Sequence, residues 1–446
     1  MSARLLAVVA VAAIGCGDNL AVVDEVAAVS GTRLKVERYR YDDGTEQADP
    51  GQLYDTELHT LCTPRRWTDD RVRCVPLADE ALYIDPACSA LIGVAQTISA
   101  PTHFLAYEQV GVTVLPTRVF QAGDVTASIA SFYEKQDGAC LGPYRAPDAT
   151  YVGLAGEIDG ATLVSLRDTE IGDARLGLRL YEADDGLRLP LGLRDRELDV
   201  DCTPALQSDG SFACAPSQSV NTIDFFDPAC ERPAVVVEPG VPVPAIASIV
   251  EATGCTGYRT VGGEVAGARY RRAGATCVAS SLAPGERIFA ADAPLALPLL
   301  ERTLEAAPGR RLQRILLRGG GMQFADDRLF DTATRADCAL LELDTVTRCI
   351  PADLAFATSL FAPGCAVEVR VAELPAHTCK PLAFAVASTD PGIAIQAIGD
   401  PVTDTLFRPE GKQCTPYAGV PDTVMHALGP PIDPSAFMGA LFFGER

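Results

Sequence analysis

The sequence predicts an all-β protein, a six-bladed β-propeller made of three double-blade repeats, and three observations lead to this prediction. A six-residue phrase occurs three times, as YIDPAC, FFDPAC and LFAPGC, ending at Cys88, Cys230 and Cys365. These positions lie 142 and 135 residues apart, which indicates a long internal repeat. Most segments between them are short, β-branched or alternating in hydrophobicity, and are punctuated by turn residues, as expected for strands.

Other cysteines recur with nearly the same spacing, so the repeat covers the whole chain. The recurring sets are Cys62, Cys202 and Cys338; Cys74, Cys214 and Cys349; and Cys140, Cys277 and Cys414. The predicted organisation is a signal peptide with a lipobox (1–16), a tether (17–30) and three repeat units (31–170, 171–305 and 306–446).

The strand prediction is clearest in RLGLRLYEADDGLRLPLGLRDRELDVDC, where leucines recur at every second residue. Asp185-Gly186 supplies the turn of a hairpin there. Each unit holds two such sheets of about four strands, and six sheets arranged radially would protect their edges in a propeller. The alternative is three tandem disulfide-bonded β-domains. NLAVVDEVAAV, before Gly31, is either a tether or a strand that closes the ring.

The N-terminus predicts export and lipid anchoring. Arg4 is followed by an apolar run that is too short to span a bilayer, and Gly15-Cys16 resembles a bacterial lipobox. Cys16 would then be lipidated and would hold the protein on a membrane. In the alternative, an ordinary signal is cleaved and Cys16 has no special role. The predicted location is the bacterial cell envelope, at the outer membrane.

The cysteine count favours disulfides. Without Cys16, 14 of the 15 cysteines remain, an even number for an exported chain. Three pairs are predicted to close hairpins, and two further local pairs are plausible. The hairpin pairs are Cys62 with Cys74, Cys202 with Cys214 and Cys338 with Cys349; the others are Cys365 with Cys379 and Cys255 with Cys277. Cys88, Cys140, Cys230 and Cys414 are left without an assigned partner.

Charge and motifs argue against several classes of function. The net charge of −22 repels nucleic acid. No C-x-x-C pair occurs and there are four histidines, so neither a metal site nor a cofactor is predicted. Neither the Gly-x-Ser-x-Gly motif of serine hydrolases nor the His-Glu-x-x-His motif of zinc proteases is present.

Two kinds of position stand out as candidate site residues. Arginine and aspartate recur at matching places, and such repetition favours structural ion pairs over an active site; the alternative is a symmetric anion or cation site on the propeller axis. They are Arg33 and Asp55, Arg175 and Asp195, and Arg311 and Asp331. Trp67, on the tip of the first cysteine hairpin, is either an exposed binding residue or part of the local packing.

Two classes of function remain open. The first is a non-catalytic envelope protein that binds a protein, a glycan or a small ligand through blade loops. The second is an exported hydrolase or lyase whose carboxylates converge on the propeller axis.

The chain resembles uncharacterised, repeat-bearing predicted lipoproteins of myxobacteria. The resemblance rests on GTRLKVERYRYDDG, YDTELHTLC, DDRVRCVP and YIDPAC, and it covers almost all of the exported chain. It implies an envelope location and no known activity. The third unit departs most, because RLQRILLRGGG lacks the tyrosine and the Asp-Gly turn.

Overall fold

The computed structural model confirms the all-β class. It describes residues 25–95, 101–125, 129–145, 149–173, 175–251, 253–273, 276–291, 293–389, 392–411, 413–420 and 423–443. The helices within these ranges are single 3-10 turns at Gly160–Thr162, Pro363–Cys365 and Pro434–Ala436. Cys16 lies outside the described residues. Within the described ranges, no helix has the length and apolar character needed to cross a membrane.

The strands follow the three sequence units in order. Unit 1 contains β1 (Leu34–Tyr41), β2 (Glu46–Asp55), β3 (Thr60–Arg66), β4 (Val72–Pro76), β5 (Asp79–Tyr83), β6 (Leu91–Ala95), β7 (His103–Val110), β8 (Thr113–Val125), β9 (Ser131–Gln136), β10 (Ala139–Arg145), β11 (Thr150–Ile158) and β12 (Ser165–Gly172). Unit 2 contains β13 (Leu176–Glu182), β14 (Arg188–Asp195), β15 (Val200–Leu206), β16 (Phe212–Pro216), β17 (Val220–Asn221), β18 (Asp224–Phe225), β19 (Pro233–Val237), β20 (Ile246–Val250), β21 (Thr256–Thr260), β22 (Arg269–Ala273), β23 (Thr276–Ser280), β24 (Arg287–Ala290), β25 (Ala293–Pro294) and β26 (Leu299–Glu305). Unit 3 contains β27 (Leu312–Gly319), β28 (Met322–Asp331), β29 (Ala336–Leu343), β30 (Val346–Pro351), β31 (Leu354–Phe361), β32 (Glu368–Pro375), β33 (Phe384–Thr389), β34 (Gly392–Pro401), β35 (Phe407–Glu410), β36 (Gln413–Pro416), β37 (Thr423–Pro431) and β38 (Ala440–Phe443).

The first half of each unit is an antiparallel meander of four strands, β1–β4, β13–β16 and β27–β30. The alternation of leucines and polar residues in the sequence places the leucines on one face of these strands. On β13, Leu176, Leu178 and Leu180 all lie in one buried cluster. Because successive side chains of a strand point to opposite faces, a leucine at every second residue gives one apolar face. The predicted hairpin turn is present, and Gly186 has a φ of 95° there.

The last strand of each unit, β12, β26 or β38, joins two meanders. Leu166 of β12 pairs with β4 of unit 1, and from Arg167 onward the same strand pairs with β13 of unit 2. Strand β26 links β16 to β27 in the same way. Strand β38 pairs with β1, and Gly439 just before it forms a bridge with Arg348 of β30. The 15 strands form one sheet, and this bridge links its two end strands, β30 and β38; we call this assembly the central ring.

The N-terminal segment 25–30 contacts all three units of the central ring. Glu25 forms a bridge with Gln323 of unit 3, and Val29 forms one with Arg188 of unit 2. In unit 1, Arg38 donates to the carbonyl of Ala28. This described part of the predicted tether is therefore bound to the ring, and the circle is closed by β38 from the other end of the chain.

The second half of units 1 and 3 is a small closed barrel with one extra hairpin. In unit 1 the order is β5-β6-β11-β8-β7, and β7 returns to pair in parallel with β5. Unit 3 repeats this with β31-β32-β37-β34-β33. The extra hairpins are β9–β10 and β35–β36. In unit 2 the corresponding strands lie in two sheets, of four and five strands.

These sheets differ from the six four-stranded blades predicted from the sequence. The first halves merge into one sheet because each joining strand is long enough to pair with two meanders. The second halves of units 1 and 3 close on themselves through a parallel pair. Backbone hydrogen bonds between strands of different units also join all three units.

Candidate functional site

The repeated arginines and aspartates form three equivalent ion pairs in the central ring. The Nη2–Oδ2 distances are 2.7 Å for Arg33 and Asp55, 2.9 Å for Arg175 and Asp195, and 2.6 Å for Arg311 and Asp331. Each arginine also donates to a carbonyl in the loop before a joining strand. The acceptors are Thr162, Ala296 and Ala436.

The aspartate of each pair also caps the turn that follows it. Asp55 accepts the backbone N–H groups of Glu57 and Leu58, and its side chain is fully buried. Such carboxylates have little capacity left for a ligand or a substrate. The repeated pairs thus fasten the joining strands, as the structural interpretation of the repeat predicted.

The three predicted hairpin disulfides are present. They join Cys62 to Cys74, Cys202 to Cys214 and Cys338 to Cys349. In unit 1 the bond staples β3 to β4, where Cys62 lies opposite Pro76 and Pro64 lies opposite Cys74. A hairpin of this length brings the two cysteines into reach, which is why local spacing alone predicted the pairs.

The other two predicted pairs are wrong. Cys365 bonds Cys414 instead of Cys379, and Cys277 bonds Cys230 instead of Cys255. Cys255 bonds Cys379 of unit 3, 124 residues away. The remaining disulfide joins Cys88 to Cys140.

The recurring phrase explains the pairing that local spacing missed. In the phrase, Cys88 adopts a positive φ of 49°, and the carboxylate of Asp85 accepts the N–H groups of Ala87, Ser89 and Ala90. This turn presents the cysteine to the extra hairpin, which carries Cys140 on β10. The sequence did contain a signal, since the phrase cysteine and the hairpin cysteine are 52, 47 and 49 residues apart in the three units.

Trp67 is not an exposed binding residue, because only 6% of it is accessible. It packs with Leu105, Val119 and Leu163 where the central ring meets the unit 1 barrel. The aligned residue of unit 3, Leu343, is buried at the same junction. Close approach requires a glycine opposite the indole, for a Cβ on Gly160 would lie 2.8 Å from the Trp67 ring.

An open cleft of about 550 Å³ lies beside Trp67 at this junction. Its walls come from the β3–β4 hairpin, from Thr117 within β8, and from the end of β11 with the 3-10 turn that follows it. The residues that matter for its chemistry are Trp67, Thr68, Asp69, Thr117, Glu157 and Asp159. Sequence reasoning selected Trp67 alone, because the others lie far apart in the chain.

The acidic groups of the cleft are held by partners. Arg118 donates to Glu157 at 2.8 Å, and this hydrogen bond lowers the pKa of the Glu157 carboxyl. Arg73 donates to Asp69 at 2.6 Å and lowers the pKa of the Asp69 carboxyl. Both groups are therefore ionised at neutral pH and can accept hydrogen bonds, but they are poor general acids.

Asp159 completes the wall by accepting the N–H of Ala161 at the start of a 3-10 turn. Thr68 at the hairpin tip is exposed. Among residues in the described ranges, no group of three or more His, Cys, Asp or Glu side chains is placed to hold a metal ion. The cleft thus offers hydroxyl groups and ionised carboxylates beside an aromatic ring.

A family model covers nearly the whole chain. No curated protein and no solved structure is significantly similar to the chain. The family model spans residues 7–437 and therefore includes the three second halves, the cleft and every strand of the central ring except β38. The chain belongs to the Family of unknown function (DUF7481).

Proposed function

We propose that the protein is a non-catalytic, lipid-anchored scaffold of the bacterial cell envelope, at the outer membrane, that binds a ligand in the cleft beside Trp67. The observation that carries the proposal is the set of polar groups on the cleft walls. Ionised Asp69 and Glu157 accept hydrogen bonds, and their arginine partners are already engaged. A ligand rich in hydroxyl donors and without negative charge fits this surface, and a neutral glycan has that chemistry.

Two further observations support binding over hydrolysis. The carboxylates repeated in all three units are used in the ion pairs of the ring. In addition, no group of three or more His, Cys, Asp or Glu side chains among the described residues is placed to hold a metal ion for hydrolysis.

Glycan binding is tested by titrating the protein with neutral tetrasaccharides of glucose and of N-acetylglucosamine. Trp67 is the single tryptophan, so its fluorescence reports occupancy of the cleft directly. We expect saturable quenching that Thr68→Ala weakens. Ser208→Ala is the matched control, because Ser208 occupies the corresponding hairpin tip of unit 2. Quenching that is equal in both variants, or absent with every sugar, would contradict the proposal.

The lipid anchor is proposed from the sequence Ala13-Ile14-Gly15-Cys16. We expect the wild type to enter the detergent phase in a phase-partition experiment and Cys16→Ser to stay in the aqueous phase. A single acyl chain binds membranes only marginally, so several chains on Cys16 are needed for stable attachment. Equal partitioning of the two proteins would exclude the anchor and leave the glycan test unaffected.

A further inference from the structure

A contact between units 2 and 3 shows what can bind to a hairpin tip in the second half of a unit. In unit 2, the turn between β20 and β21 carries Gly254 and Cys255. The segment between β32 and β33 of unit 3 lies against it, close enough that a Cβ on Gly254 would be 2.2 Å from the carbonyl oxygen of His377. Cys379 of the same segment is disulfide-bonded to Cys255. The tip of one unit is therefore covered by the inter-strand segment of the next unit.

The corresponding tip of unit 1 is uncovered and apolar. It is the turn between β7 and β8, where Val112 is 100% exposed and Val110 and Val114 are also exposed. Residues 109–117 contain no charged side chain, in a chain whose net charge is −22. Asp137 holds the turn by accepting the N–H of Gly111 at 2.8 Å. The three valines thus sit on an ordered tip.

The corresponding covering segment of unit 2 is exposed as well. It links β19 to β20 and reads PGVPVPA over residues 239–245. Val241 and Val243 are exposed and each precedes a proline, which favours an extended backbone. A segment of this kind is already extended before it binds, so it loses little conformational entropy. It also carries no charge.

We propose that residues 239–245 of one molecule dock on the β7–β8 tip of a second copy of this chain. This contact between two molecules has the same arrangement as the contact between units 2 and 3 within one molecule. It joins two apolar stretches, residues 109–117 and 239–245, neither of which contains a charged side chain. If each molecule offers both its tip and its segment, two reciprocal contacts close a symmetric dimer.

The test is sedimentation velocity of the protein carrying Cys16→Ser, over a range of concentrations at low and high salt. We expect a reversible monomer–dimer equilibrium that salt strengthens, because salt screens the repulsion between two acidic molecules. Val112→Asp and Val243→Asp should each weaken dimerisation at least tenfold. Leu441→Asp is the control, since Leu441 is 71% exposed on the ring and belongs to neither surface.

A paired substitution makes the test specific. Val112→Lys combined with Val243→Asp places opposite charges on the two surfaces and should restore part of the dimer that each single change removes. A protein that stays monomeric at every concentration would overturn the proposal. So would a dimer that Val112→Asp abolishes and Val243→Asp leaves intact, because another surface would then be the partner. Neither result bears on glycan binding or on the lipid anchor.

Discussion

Asp43 and Arg311 are 268 residues apart, yet the Asp43 carboxylate accepts the backbone N–H of Arg311 at 2.9 Å. It also accepts the N–H of Leu312 at 2.8 Å. The hairpin turn of unit 1 thus caps the beginning of β27 in unit 3. Asp185 in the turn of unit 2 does the same for Arg33 and Leu34 of unit 1.

The corresponding contact between the turn of unit 3 and the start of unit 2 is made differently. The turn of unit 3 is Gly319-Gly320-Gly321, which has no carboxylate to offer. The carbonyl of Gly320 accepts the N–H of Asp173, and the Asp173 carboxylate itself caps Arg175 and Leu176. Close packing explains why residue 320 is a glycine, since a Cβ at this position would lie 2.7 Å from the Leu176 carbonyl oxygen. The departure of unit 3 from the repeat is thus compensated within unit 2.

We expect Asp43→Ala to destabilise the protein by about 1–2 kcal/mol, because two backbone N–H groups lose a charged acceptor at a contact between units. Asp184→Ala is the control. Asp184 pairs with Arg167 at the exposed surface, and such pairs contribute little. Urea unfolding of both variants measures the difference. An Asp43→Ala protein as stable as the control would show that this cap does not hold the ring together.

The same contact predicts acid sensitivity. Burial tends to raise the pKa of Asp43, but hydrogen bonds from Leu312, Thr45 and Arg311 outweigh it and lower the pKa below the ordinary 3.8. The stabilisation is therefore complete above the unfolded pKa and is lost as the pH falls through the folded value. Stability measured from pH 6 down to about pH 2 should fall less steeply in Asp43→Asn than in the wild type. Parallel curves would contradict the prediction.

The packing of Gly160 on Trp67 predicts a second stability effect. Gly160→Ala places a methyl group 2.8 Å from the indole, so the ring must shift, at a cost of about 1–3 kcal/mol. We expect the emission of the single tryptophan to move to longer wavelength as the indole is displaced toward water. Gly263→Ala is the control, because no atom lies within 4 Å of its added Cβ. Unchanged emission and stability in Gly160→Ala would mean that the junction adapts freely.

The disulfide between Cys255 and Cys379 predicts a local effect. Replacing both cysteines by alanine should reduce hydrogen-exchange protection in β20 and β21, because the unit 2 tip loses its covalent link to unit 3. The pair Cys88→Ala with Cys140→Ala should loosen unit 1 instead. Non-reducing digestion of the wild type should yield a peptide that joins residues 255 and 379. A peptide joining residues 365 and 379 would contradict the structure.

The β class, the hairpin disulfides and the recurring ion pairs could all be predicted from the amino-acid sequence. These features are local or repeated: leucine alternation sets the face of a strand, and a short hairpin brings Cys202 to Cys214 wherever the hairpin lies. Repetition showed that Arg175 and Asp195 are structural, because their counterparts recur in both other units.

The central ring, the barrels, the long-range disulfides and the cleft could not be predicted in this way, because they depend on contacts between distant parts of the chain. Strand β38 pairs with β1 across almost the whole chain, and no local pattern encodes such a partner. The burial of Trp67 depends on Gly160, a residue of another element that comes near it only after the barrel has packed on the ring. Every strand edge presents the same row of backbone N–H and C=O groups, so which edges meet is set by the packing of whole sheets.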